Sequence, residues 1–362
     1  MKLKTSFLMS ILLLASAATG ISGKAEAEIV WSRSTYDFGL MKEVAGPATG
    51  SVSFVNKGPG EVVITGARPS CGCTSVEYPE DPIAPGDSAR ISFTYDPTGR
   101  PGKFEKSIRV YIGENDTYRI GIKGNVLGTP ESLQQFYPYA SGDLRLSDTI
   151  ISAGEMKYGA ARNFFINAYN QSPDSISPKW SVSNPALRVS CSDKKMGPGD
   201  IVSFGLYFNA GDVKEMGEVE IPVVFSYDPE DGSQTQTVIF RANVTPDFSK
   251  FTPEQIDNGP RCYPIPERID LGILMGGKQK EFCSIIHNQG KERLNVLRVT
   301  VKDKAIKIKD KPSSIKPGKK GDLKFMIDVK ALPAGPFNIP VDILSDDPLH
   351  PVRTVHVVGI KE

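Results

Sequence analysis

The residues with the most chemical reach in this chain are Cys71 and Cys73, separated only by Gly72. Two thiols at that spacing can face one soft metal such as Cu(I), or cycle with a partner disulfide. They can equally be scaffold, buried in a turn or joined in a small ring. A metal site needs further ligands, and no histidine or methionine stands between Met41 and residue 127. A thiol-redox enzyme more usually carries C-x-x-C where a strand opens into a helix. The sequence around this pair reads as strand on both sides.

The remaining cysteines are Cys191, Cys262 and Cys283. Cys262 and Cys283 are close enough in sequence for a structural disulfide stapling a linker onto a second strand. Cys191, in VSCSD ahead of a Pro-Gly turn, is placed roughly where Cys71–Cys73 falls in its own segment. Five thiols cannot all pair internally, which leaves Cys191 as a small buried hydrophobe. His287, His350 and His356 are the only histidines. Asp346-Asp347-Pro348 with His350 and His356 can be read as a carboxylate–histidine metal site, or more simply as a turn and an outward strand position. No G-x-S-x-G, H-E-x-x-H or phosphate-cradling loop is present, so no catalytic residue is assigned and no cofactor is expected.

The elements that position these residues follow from the whole chain. Lys2 and Lys4 precede an apolar run from Phe7 to Ala18, and small-x-small sites end at Ala17 and Ala27. This is the pattern of a secretory signal peptide over residues 1–27, too short for a membrane anchor. The 43 basic and 42 acidic residues nearly cancel, and no basic stripe is interleaved with aromatics, which argues against nucleic acid. The Lys302–Lys320 stretch is broken by Asp303, Asp310, Pro312 and Pro317 and reads as a solvated face.

Three markers recur at one long period. A Pro-Gly turn feeds an alternating strand at Pro85-Gly86, Pro198-Gly199 and Pro317-Gly318, the glycines 113 and 119 residues apart. A strand ends at Asn56, Asn170 and Asn288, which lie 114 and 118 residues apart. Each copy then closes on two alternating runs around a polar turn, a hairpin signal. An opening strand is clear at Asp37-Phe38-Gly39 and Asp270-Leu271-Gly272, with a weak counterpart around Asp148-Thr149-Ile150. About seven short strands per copy predict an all-β protein of three tandem immunoglobulin-like β-sandwich domains. The expected domains are 28–127, 128–246 and 262–362, with a linker at 247–261.

The first copy carries, in order, DFG at 37–39, SVSFVNKG at 51–58, SCGCT at 70–74, PIAPGD at 82–87 and YDPTGRPGKFEKSIRVY at 95–111. Over about residues 30–127 this closely resembles the DUF1573 family of exported, Bacteroidota-type immunoglobulin-like proteins. The third copy resembles it more distantly, through DLG, HNQG and IKPG, and lacks SCGCT. The resemblance implies a sandwich fold and export. It implies no catalytic activity.

The expected function is therefore a non-enzymatic cell-envelope protein, a protein–protein interaction or scaffold module. It would be periplasmic or associated with the outer membrane, with no transmembrane anchor, and would meet other envelope proteins alone or in a larger complex. The expected contacts are Cys71, Gly72, Cys73 and Arg100 of the 96–103 loop. One alternative is copper binding or thiol redox at Cys71 and Cys73. A second is carbohydrate binding, for which Trp31 and Trp180, the only tryptophans, would have to cluster with other aromatics on one face.

Overall fold

The computed structural model describes residues 28–114, 116–227, 235–277 and 279–362. The signal segment at 1–27 lies outside the described residues. The described residues are predominantly β, with two short α-helices among them, α1 (Pro130–Phe136) and α2 (Pro253–Asn258). Among the described residues, no helix is long and apolar enough to cross a membrane.

The chain divides into two compact units. The first holds residues up to 41, 45–98 and 104–124, and the second holds 42–44, 99–103 and 125–362. The strands that carry the first unit are β1 (Ile29–Trp31), β2 (Thr35–Lys42), β3 (Ala48–Asn56) and β4 (Ile64–Pro69), then β5 (Thr74–Glu77), β6 (Ser88–Tyr95), β7 (Gly102–Ile112) and β8 (Asp116–Leu127). They form two four-stranded sheets, ordered β1-β3-β6-β5 and β2-β8-β7-β4. Strict alternation gives each strand one inward face: Val52, Phe54 and Asn56 on β3 are buried while Ser51, Ser53 and Val55 are only partly covered. Phe38 of β2 meets Phe93 and Tyr95 of β6 edge-on or tilted, so the aromatics bridge the sheets.

In the second unit the strands are β9 (Tyr139–Ser141), β10 (Leu144–Leu146), β11 (Ile150–Lys157), β12 (Ala161–Asn170), β13 (Pro178–Val182), β14 (Leu187–Cys191), β15 (Ile201–Asn209), β16 (Gly217–Tyr227) and β17 (Thr235–Thr245). They continue as β18 (Cys262–Ile265), β19 (Arg268–Leu274), β20 (Gln279–Asn288), β21 (Leu294–Val301), β22 (Ile306–Asp310), β23 (Ser314–Ile315), β24 (Lys320–Asp328), β25 (Gly335–Ser345) and β26 (Val352–Lys361). Residues 139–245 make sheets β14-β15-β12-β10-β9 and β11-β17-β16-β13 around one hydrophobic cluster. Residues 262–361 make sheets β18-β20-β24-β22 and β19-β26-β25-β21-β23 around another.

The two sequence markers that keep step along the chain are hydrogen-bonded to each other. Asn56, Asn170 and Asn288 are fully buried. Each amide donates across to a carbonyl at the Pro-Gly turn: Asn56 to Ile83 O at 3.0 Å, Asn170 to Met196 O at 3.1 Å, Asn288 to Ile315 O at 3.0 Å. Each also donates to the carbonyl four residues on and accepts from the N–H two residues on. The main chain completes the clamp, with Gly86, Gly199 and Gly318 donating to the three asparagine carbonyls. Asparagine fits because one side chain supplies both donors and an acceptor, and so reaches backbone groups on both segments at once.

The opening-strand marker has a different second member from the one expected. Gly39, Gly154 and Gly272 share φ of 67°, 67° and 66°, the last two at bulges, so the counterpart of Asp37-Phe38-Gly39 is Ser152-Ala153-Gly154, downstream of Asp148–Ile150. Asp37 and Asp270 accept from the glycine N–H at 2.8 and 2.9 Å. Serine has replaced that aspartate in the middle copy, which hides the motif from sequence.

Candidate functional site

Cys71 and Cys73 form a disulfide with Cα atoms 5.3 Å apart. The turn that holds them links β4 to β5, each the end strand of its own sheet. Cys73 is buried, Cys71 is half-buried and Gly72 is exposed. Cys73 O accepts from Asp96 N at 2.9 Å, and Ser70 N donates to Ser107 O at 2.8 Å, so both flanks are tied to neighbouring strands. Ser107 N donates in return to Ser70 Oγ at 3.1 Å. The two disulfide sulfurs lie 3.7 and 3.9 Å from Thr74 Oγ1. Among the described residues, no three His, Cys, Asp or Glu side chains group as a metal site.

The second unit contains the same turn twice, built from other residues. Asp96, Asn209 and Asp328 stand at the ends of equivalent strands and donate their N–H groups to the carbonyls of Cys73, Ala186 and Ala305 respectively. Cys71 therefore corresponds to Asn184 and Asp303. In those two turns the side chain closes the loop by accepting from the backbone N–H two residues on, Ala186 at 3.0 Å and Asp303's partner Ala305 at 2.8 Å. The disulfide performs covalently what an Asx turn performs by hydrogen bonding. Cys191 does not occupy this slot: it ends β14, five residues beyond Ala186, and its Sγ donates to Asp193 O at 3.0 Å. It is half-buried, and that burial pushes its thiol pKa up.

Arg100 is exposed and belongs to the other compact unit. Its loop, 99–103, is anchored there by the buried carboxylate of Glu43, which accepts from Gly99 N at 2.7 Å and Thr129 N at 2.8 Å. Lys103 pairs with Asp200 at 3.1 Å. Nothing in the sequence flagged Glu43, because a lone glutamate has no signature of burial.

The expected Cys262–Cys283 disulfide is absent, and both thiols are free. Cys262 pairs in register with Asn288, which lies five residues from Cys283 along β20. That offset is about 17 Å and odd, so the two side chains also leave the sheet on opposite faces. Cys262 is fully buried, and desolvation pushes its thiol up to about 11. Cys283 is exposed. Asp347, also fully buried, is engaged by backbone: its carboxylate accepts from Cys262 N at 2.9 Å, Leu349 N at 3.0 Å and His350 N at 3.3 Å. His356 Nδ1 lies 3.0 Å from Asn338 Oδ1. Trp31 packs on Phe54 and Tyr118 in the first unit, and Trp180 on Phe204 in the second.

Residues 29–126 match the model of the family described as a protein of unknown function, DUF1573. No curated protein matches the sequence. Among solved structures, the chain is similar to a protein of unknown function from Porphyromonas gingivalis W83, with 19% identity, 60% of this chain and 100% of that chain covered, and a TM-score of 0.45. It is also similar to the E. coli chaperone DraB, with 12% identity, 60% of this chain and 96% of that chain covered, and a TM-score of 0.25.

Proposed function

We propose that this chain is an exported, non-enzymatic envelope protein that binds other envelope proteins, and that Cys71–Cys73 serves it as a staple rather than as a reagent. The observation that carries this reading is the equivalence of the disulfide turn with the turns at Asn184 and Asp303. A position filled by asparagine, aspartate or a disulfide half-cystine is selected for closing a turn, and neither amide nor carboxylate version does thiol chemistry. What the staple fixes is the geometry of β4 and β5, two sheet-end strands whose outer backbone groups suit strand addition by an extended segment.

Two measurements test this. Intact mass of protein taken from its native envelope, with and without reduction, should shift by the two hydrogens of one disulfide and carry no metal. A copper adduct, or a Cys71–Cys73 pair alkylated without prior reduction, overturns the staple and favours the copper or thiol-redox reading. A photo-crosslinker at Glu77 on β5 should then give a discrete protein adduct that the same group at Lys123, on the inner strand β8, does not. Equal labelling at both positions sinks edge binding.

A further inference from the structure

The outer face of sheet β14-β15-β12-β10-β9 holds an arrangement that turn closure and core packing do not require. Register places Ser190, Gly205 and Phe165 in one row across β14, β15 and β12. Arg188, Tyr207 and Asn163 form the row on one side, and Ser203 and Asn167 the row on the other. Gly205 thus leaves a gap in the side-chain grid, with the Phe165 ring beside it and amides and hydroxyls in the neighbouring rows. Phe165 is 67% exposed although β12 is an interior strand, and Tyr207 is 37% exposed.

Glycine in an interior strand is destabilising relative to alanine, so it needs a reason. Gly205 has no positive φ. A Cβ there would meet only the rotatable Ser190 Oγ at 3.2 Å and the Phe165 ring at 3.7 Å, the latter an ordinary contact. The fold does not demand glycine either: the corresponding cross-strand pairs are Ser51–Ser92 in the first copy and Cys283–Lys324 in the third. A bare Cα in mid-strand also lets a bound ligand approach the sheet closely.

The chemistry of the wall selects the ligand. The grid carries one charge, Arg188, whose guanidinium sits 5.8 Å over the Tyr207 ring. The other polar groups are neutral and can both donate and accept: Asn163, Asn167, Ser190, Ser203 and the Tyr207 hydroxyl. An aromatic face beside such groups matches a pyranose, which has C–H groups on its faces and hydroxyls on its rim. We propose that this grid is a subsite for a neutral saccharide, with one sugar ring lying over Gly205 against Phe165.

Native affinity electrophoresis of the mature protein through gels containing dextran, mannan, laminarin or xylan tests it. At least one polymer should retard the wild type. Phe165→Ala should weaken that retardation at least about tenfold, and Phe165→Tyr should preserve it. Gly205→Val should abolish it too, while thermal melting shows a fold no less stable, because valine favours strand. That last pair of results separates a binding site from a structural pairing of ring and glycine. Absence of retardation by all four polymers overturns the proposal, as does retardation unaffected by either substitution. Retardation by alginate alone also overturns it, since that ligand is anionic. So does a concentration-dependent dimer in sedimentation that Phe165→Ala abolishes, which would put a second copy on this face.

Discussion

The turn at Cys71–Cys73 and the turn at Asn184–Ala186 occupy one place in two copies of the same sandwich plan, yet they are closed by different bonds. One uses a disulfide, the other a side-chain oxygen accepting from a backbone N–H at 3.0 Å. The strands on either side are alike: both turns leave the end strand of one sheet and enter the end strand of the other. The most conspicuous motif in the sequence is therefore a substitute for a commonplace one. The clamp at Asn56, Asn170 and Asn288, by contrast, is the same residue in every copy. The difference teaches that the fold tolerates several ways to close an edge turn and uses one way to tie strand end to Pro-Gly turn.

If the clamp is the shared requirement, breaking it should have the largest effect. Asn170→Ala removes the side-chain hydrogen bonds to the carbonyls of Asp174, Met196 and Gly197 and to the N–H of Ser172, although Met196 O still accepts from Ile176 N and Gly197 O from Asp200 N. Losing these four bonds costs about 3 kcal/mol in total. Urea denaturation should show that loss, and similar losses for Asn56→Ala and Asn288→Ala. A loss under about 1 kcal/mol in any copy would show that the clamp is dispensable there.

The sequence made the clamp visible but not its mechanism. The asparagine and the Pro-Gly turn keep the same spacing in each copy because hydrogen bonds join them, and alternation along β3, β12 and β20 was enough to give the inward faces. Three features were not legible. The Asp37 motif vanishes in the middle copy because serine at 152 drops the side-chain acceptor while Gly154 keeps the backbone shape. Cys191 looked like the counterpart of Cys71–Cys73 because cysteine was matched to cysteine, whereas the equivalence runs through a backbone bond to Ala186. The Phe165–Gly205 pair depends on cross-strand register, which no spacing within one strand encodes.

Register also decides the third-copy thiols, and this gives the next effect in size. Cys262 has its pKa raised from 9.0 to about 11, first by burial. The thiolate is thus disfavoured in the folded chain relative to the unfolded one. The stability this confers is complete below pH 9 and falls as pH rises toward 11, by about 2 kcal/mol. Cys262→Ala should flatten that alkaline limb in denaturation curves taken at successive pH values. An unchanged limb would mean that another group titrates. In native protein, alkylation followed by peptide mapping should label Cys283 first, Cys191 more slowly, and Cys262 only on unfolding.

The smallest effect sharpens the opening comparison most. Cys71→Ser with Cys73→Ser opens a ring of only three residues, so the loss of chain restriction is small, about 1–2 kcal/mol. Writing the other copies' solution into the same place, Cys71→Asn with Cys73→Ala, restores the side-chain acceptor and the buried alanine of Asn184–Ala186. Stability should return to within about 1 kcal/mol of the wild type, the worth of one hydrogen bond. The same variant should keep the photo-crosslink from Glu77, because the geometry of β5 survives while both thiols are gone. Recovery of stability with loss of the crosslink would mean that the partner reads the disulfide itself. Failure to recover stability would mean that the two turns, alike in backbone, are not interchangeable, and the staple would then have to act on β4 and β5 in some way that an Asx turn cannot reproduce.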